Sequence, residues 1–167
     1  MKRVLSIAVL VLTLAWIGFI FSNSLDSGIE SGEKSGKVYE IVNDVAHSLG
    51  ATEEIPESTI RTSAHFTEFA VLGILVCADI VLLARISPAS SLGQRHAYPL
   101  LTLPFCVIIA IIDETIQRFS PGRAMQFIDI VIDSSGALCG MLFYALCFLL
   151  LHALIRYKRH IQNEPTT

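Results

Sequence analysis

The chain has 167 residues, is 53% hydrophobic with only 16% charged residues, and carries a formal net charge of −3. Its mean hydropathy of +0.61 is high for a soluble domain, whose apolar share is about 45–50% even with glycine counted. The slight acidity excludes the basic footprint of a nucleic-acid binder. What remains is one membrane domain over residues 1–167.

A bilayer crossing needs about 20 apolar residues, and four segments qualify. The first spans 4–22, follows Lys2 and Arg3, and carries no charge. A basic pair before an apolar run also fits a cleaved leader, but this run is longer than a signal core. Residues 23–61 form a loop in two parts. Its Ser- and Gly-rich start, through residue 36, reads as flexible. From Lys37 to Leu49, the residues Val38, Ile41, Val42, Val45 and Leu49 recur at helical spacing, which predicts a short amphipathic helix. Capping the bundle is preferred for it over lying on the membrane surface. Pro56 and Glu57 fit the first turn of the next helix.

The second span, 64–84, is interrupted by Glu68 and Asp79. Asp79 lies about 16 Å beyond Glu68 at 1.5 Å per residue, so its expected partner is Arg85 or Arg95. The third span, 97–117, has Pro99 and Pro104 early and ends on Asp113, Glu114 and Gln117. Ser120-Pro121-Gly122-Arg123 then predicts a tight turn, with proline setting φ and glycine accepting a positive φ. The fourth span, 127–155, starts with Asp129 and Asp133 above an apolar stretch from Ala137. The acidic face continues into Gly136 and Gly140, whose spacing lets helices approach closely, within or between chains. Cys77, Cys106, Cys139 and Cys147 fall in apolar stretches without metal-ligand spacing and read as small buried hydrophobes.

Arg3, Arg85, Arg95, Arg156, Lys158 and Arg159 favour one side under the positive-inside rule. The expectation is an all-α, polytopic cell-membrane protein: a four-transmembrane-helix bundle with a short outer amphipathic helix and both termini cytoplasmic. Loop 23–61 and the turn at 118–123 are then outside.

Charged groups inside a membrane segment are costly and need partners, water or a function. Three spans bring them to one level: His65 and Glu68, then Asp113, Glu114 and Gln117, then Asp129 and Asp133, with Arg61, Arg118 and Arg123 at the rim. Glu114 and Arg118 also have the spacing of a simple surface pair. The arginines suit a phosphate or carboxylate. No catalytic residue is assigned. The candidates for acid–base chemistry are His65, Glu68, Asp113 and Glu114, with His65 a base oriented by Glu68 or Asp113. His65, Glu114 and Asp129, with Glu68, are the candidates to hold a divalent cation. No serine or cysteine stands out as a nucleophile.

These residues carry a resemblance. Phe21-Ser22-Asn23-Ser24, the loop Glu30-Ser31-Gly32-Glu33-Lys34-Ser35-Gly36, Arg61-Thr62-Ser63-Ala64-His65-Phe66-Thr67-Glu68, and above all Asp113-Glu114-Thr115-Ile116-Gln117-Arg118-Phe119-Ser120-Pro121-Gly122-Arg123 with the later Asp129, Asp133 and Gly136 resemble the VanZ-like family. The likeness covers about residues 4–155. Thr62 departs from it, since members often carry lysine there, which removes one counter-charge. The resemblance implies a bacterial integral membrane protein of the teicoplanin-resistance type. Its outer polar pocket would engage an envelope lipid, a lipid-linked wall precursor or a lipoglycopeptide. The other reading is a membrane-embedded hydrolase or transferase, acid–base- or metal-dependent, acting on a lipid-linked substrate. The sequence leans away from an enzyme and leaves the oligomeric state open.

Overall fold

The structure, a computed structural model, describes residues 2–86 and 98–162. Within them the chain is helical throughout: α1 (Lys2–Ser24), α2 (Gly28–Ser48), α3 (Glu57–Ile86), a 3-10 turn at Tyr98–Leu101, α4 (Thr102–Phe119) and α5 (Phe127–Gln162). Among the described residues, three stretches are long and apolar enough to cross a membrane: Arg3–Ser24, Glu57–Ala84 and Phe127–Gln162. The expected third span corresponds to α4, which has 18 residues and ends on Asp113, Glu114 and Arg118. At 1.5 Å per residue it is about 27 Å long.

α3 is the central helix and touches all four others, with its longest seam against α5. That seam follows from glycine. A β-carbon on Gly136 would collide with the Phe66 carbonyl oxygen, one on Gly140 with that of Ala70, and one on Gly73 with that of Ala137. The expected small-residue seam therefore packs within the chain, backbone against backbone. Beside it, Phe69, Leu72, Val76, Cys106, Ala110, Ala137 and Ile20 form the buried core.

The opposite helix faces stay apolar and exposed, including Leu10 and Leu14 on α1, Ile108 and Ile111 on α4, and Leu142, Leu146 and Leu150 on α5. An apolar exterior of this extent is a membrane-facing surface rather than a soluble one. Of the four cysteines, Cys77 and Cys106 are buried as expected, whereas Cys139 and Cys147 lie on the exposed side of α5.

α2 corrects the reading of the loop. The helix begins at Gly28, so residues read as flexible are ordered. Ser27 caps it: the Glu30 amide donates to Ser27 Oγ at 3.3 Å, and the Ser27 amide donates to Glu30 Oε2 at 2.9 Å. This reciprocal capping box, Ser-x-x-Glu, is a sequence-level helix start that the Ser/Gly content masked. At its far end Asn43 is buried and binds Ile55 through both amide atoms, which folds the connection to α3 back onto α2. Val38 and Val42 line a groove against α1 and α3, while Ile41, Val45 and Leu49 of the same apolar face remain exposed.

Ser120 to Arg123 forms the expected turn. The Arg123 amide donates to the Ser120 carbonyl at 3.2 Å, and Gly122 has φ +77°. Gly28 packs against it closely, its amide donating to the Pro121 carbonyl at 2.8 Å. This contact ties the start of α2 to the connection between α4 and α5. The side chains of Arg85 and Arg95 lie outside the described residues, and with them the expected pairing with Asp79. Asp79 itself is buried and accepts a 2.6 Å hydrogen bond from Thr13 Oγ1.

Candidate functional site

α4 shows how the sequence builds the site. Its buried stripe is Thr102, Cys106, Ile109, Ala110, Asp113, Glu114 and Gln117, spaced three and four residues apart on one helical face. The stripe is mostly apolar through Ala110 and wholly polar beyond it. Asp113 and Glu114 are 0% exposed, so their polar atoms must find partners inside the protein.

Most of them do. Ser24, at the end of α1, donates to Asp113 Oδ1 at 2.5 Å, and Gln117 Nε2 donates to Asp113 Oδ2 at 2.9 Å. Arg123 Nη2 donates to Gln117 Oε1 at 2.7 Å, and its Nη1 donates to the Asn23 carbonyl at 3.2 Å. Reading the Gln117 oxygen in this way turns the amide NH₂ toward Asp113. Asn23 Nδ2 donates to Glu68 Oε1 at 3.0 Å, and Trp16 Nε1 donates to the Glu68 backbone carbonyl at 2.9 Å. Glu114 Oε1 accepts the Gln126 amide at 2.5 Å, so it is a buried acceptor rather than half of a surface pair with Arg118, which is exposed. Ser120 Oγ donates to the Ser24 carbonyl at 2.7 Å, joining the α4–α5 turn to α1.

His65 is half-buried on α3, and the carboxylate within ion-pair range of it is Asp133 rather than Glu68. The Nδ1 to Asp133 Oδ1 distance is 3.8 Å. Asp133 is 0% exposed, and neither of its oxygens has a hydrogen-bond partner among the described residues. Asp129 stands half-buried in the first turn of α5. The described residues that come within metal-ligand range of one another are His65, Asp113 and Asp133. Glu114 and Asp129, expected in that role, fall outside this group.

A pocket of about 240 Å³ opens beside the network and is lined by Asn23, Lys34, Arg61, His65, Glu68 and Arg123, among others. Partial burial, with the Arg61 charge adding to it, lowers the Arg123 pKa from its ordinary value, but a guanidinium keeps its proton. An apolar groove of about 580 Å³ adjoins the pocket between α1, α2 and α3, lined by Trp16, Val38, Val42, Ile60, Ala64 and Val71, among others. The two share Val38, Ile60, Ala64 and Glu68 as a common wall.

Arg61, His65, Glu68 and Arg123 thus line the pocket, while Asp113, Glu114, Gln117 and Asp133 are buried polar groups of the same helix ends. Sequence reasoning missed Asn23, Ser24, Lys34 and Ser120 as site residues. Each lies inside a motif already singled out, and for Asn23 and Ser24 a polar residue at the last turn of a span was the available signal. In a comparison with known proteins, the VanZ/LLP1 family model matches residues 9–150. No curated protein and no solved structure matches the chain.

Proposed function

Because this chain belongs to the VanZ/LLP1 family, we propose that it is a four-span membrane protein that binds an anionic amphiphile of the cell envelope at its extracytoplasmic face. The ligand class is an envelope lipid, a lipid-linked wall precursor or a lipoglycopeptide, and the role is of the glycopeptide-resistance type. One observation carries the reading: the pocket bearing Arg61, Arg123 and Lys34, the last paired with Asp26, adjoins an apolar groove and shares four lining residues with it. A head group's phosphate or carboxylate suits the guanidiniums, and an acyl chain suits the groove. The smaller volume fits a head group alone, since whole drug-sized ligands occupy about 300–1,000 Å³.

The topology is supported by direction. The C-terminal ends of α1 and α4 meet the N-terminal portions of α3 and α5 around the polar network. The helices α1, α3, α4 and α5 therefore run in alternate senses, and α4 spans nearly the about 30 Å of a hydrocarbon core. Arg3 and the basic residues Arg156, Lys158 and Arg159 then share the far end, which the positive-inside rule assigns to the cytoplasm.

The test is lipid retention by the purified chain in native mass spectrometry, comparing anionic with zwitterionic lipids of equal chain length. Anionic lipid is expected to be retained preferentially. Arg61→Ala and Arg123→Ala each lower that preference about tenfold or more, as expected for a charge-assisted hydrogen bond worth about 1.5–3 kcal/mol. Equal retention of both lipid classes by the native chain sinks the reading. In susceptible cells, expression is expected to raise teicoplanin tolerance, and Arg123→Ala is expected to abolish the gain.

A further inference from the structure

Deeper than the head-group pocket, three side chains from three helices converge on one point. His65 from α3, Asp113 from α4 and Asp133 from α5 each offer a ligand atom, and these atoms lie within 4.8 Å of one another. The hydrogen bonds already described do not account for them all. Asp133 is 0% exposed with both oxygens unpartnered, and the buried His65 Nδ1 facing it is unpartnered as well. Asp113 is different: Ser24 and Gln117 hold its two oxygens and fix its orientation.

Two carboxylates this close in an interior repel unless a proton or a positive charge sits between them. Arg123 stands near Asp113 but does not sit between the two carboxylates, because its guanidinium hydrogen-bonds Gln117 and the Asn23 carbonyl. An imidazole nitrogen aimed into the same gap adds a lone-pair donor, which a cation can use. One imidazole with two carboxylates suits a borderline or harder divalent cation, and three protein ligands leave a position open. The 3.8 Å from His65 Nδ1 to Asp133 Oδ1 is near the about 3.4 Å between ligands of a tetrahedral site with bonds of about 2.1 Å. Ser24 and Gln117 would act as the outer partners that such ligating carboxylates require.

The geometry points to His65, Asp113 and Asp133 as the ligands of one divalent cation, Zn²⁺ or Mn²⁺, held between α3, α4 and α5. The assignment does not depend on the amphiphile reading, and the two fail separately.

The experiment uses the full chain in nanodiscs of zwitterionic lipid, stripped with chelator and dialysed against micromolar Zn²⁺ or Mn²⁺, or against Mg²⁺ as the hard-ion control. Metal content is measured by mass spectrometry and stability by thermal melting. The expected result is about one Zn²⁺ or Mn²⁺ per native chain, with a rise in melting temperature that the chelator reverses. Asp133→Asn and His65→Ala each lower retained metal at least about tenfold and remove the metal-dependent shift, while Glu114→Gln retains both. A monodisperse native chain that takes up no Zn²⁺ or Mn²⁺ and shows no shift overturns the proposal, leaving a shared proton to hold the carboxylates. Equal loss of metal in Glu114→Gln overturns the ligand assignment. Because the native chain decides the first point, a variant that fails to fold cannot obscure it.

Discussion

The α3–α5 seam and the polar end of the bundle obey opposite rules. At the seam, Gly136 and Gly140 bring two backbones into contact through shape alone. At the polar end, Ser24, Asp113, Gln117 and Arg123 hold α1, α4 and the α4–α5 turn together through hydrogen bonds, each group specifying the orientation of the next. The seam tolerates no added atom, whereas the polar end tolerates no lost partner. Asp133, one turn above the seam, follows neither rule: it is fully buried and has no hydrogen bond among the described residues. Groups that cost stability without a visible structural return tend to belong to function.

Four substitutions break or sharpen that contrast, from the largest expected effect to the smallest. Gly140→Leu drives a side chain into the Ala70 carbonyl and should cost about 3 kcal/mol or more, the top of the overpacking range, read as loss of monodisperse protein. Asp113→Ala leaves Ser24 and Gln117 without their acceptor and should cost about 1–3 kcal/mol, read by thermal melting in detergent. If Gly140→Leu melts no lower than Asp113→Ala, the ranking of seam over network is wrong. Ser27→Ala removes the α2 cap and should cost about 1 kcal/mol, visible as faster amide exchange confined to the first turns of α2. Asp133→Asn, measured with chelator present, should leave the melting temperature unchanged or slightly raised, because a neutral amide of the same shape ends the repulsion between two adjacent carboxyl groups. A drop as large as that of Asp113→Ala would mean Asp133 is structural.

Much of this was legible in advance because bilayer and helix impose strong periodicities. The apolar stretches at residues 4–22, 64–84 and 127–155 each coincide with a helix that can span a membrane. The Pro121-Gly122 turn and the Gly136/Gly140 stripe also read directly, since only particular residues permit a positive φ or a close backbone approach. The start of α2 was missed because Ser- and Gly-rich composition suggested flexibility, while one capping box at Ser27 and Glu30 was enough to order it. Pairings were missed for another reason. Spacing tells which residues share a face of one helix, and not which face of a neighbour they meet. His65 was assigned to Glu68 or Asp113; Asp113 does lie near it, but the carboxylate within ion-pair range is Asp133.

Taken alone, the sequence determined the helical class, the membrane-length apolar segments and the residues gathered at one end, because hydrophobic length and 3.6-residue periodicity are local properties. Tertiary structure decided which acids acquire partners. The glycine contacts between α3 and α5 left Asp133 beside His65 with its oxygens unpaired, whereas Asp113 on α4 met Ser24 of α1 and Gln117 of its own helix. Hydrogen bonding is short-ranged and directional, so that difference between two aspartates arises only once the helices are packed.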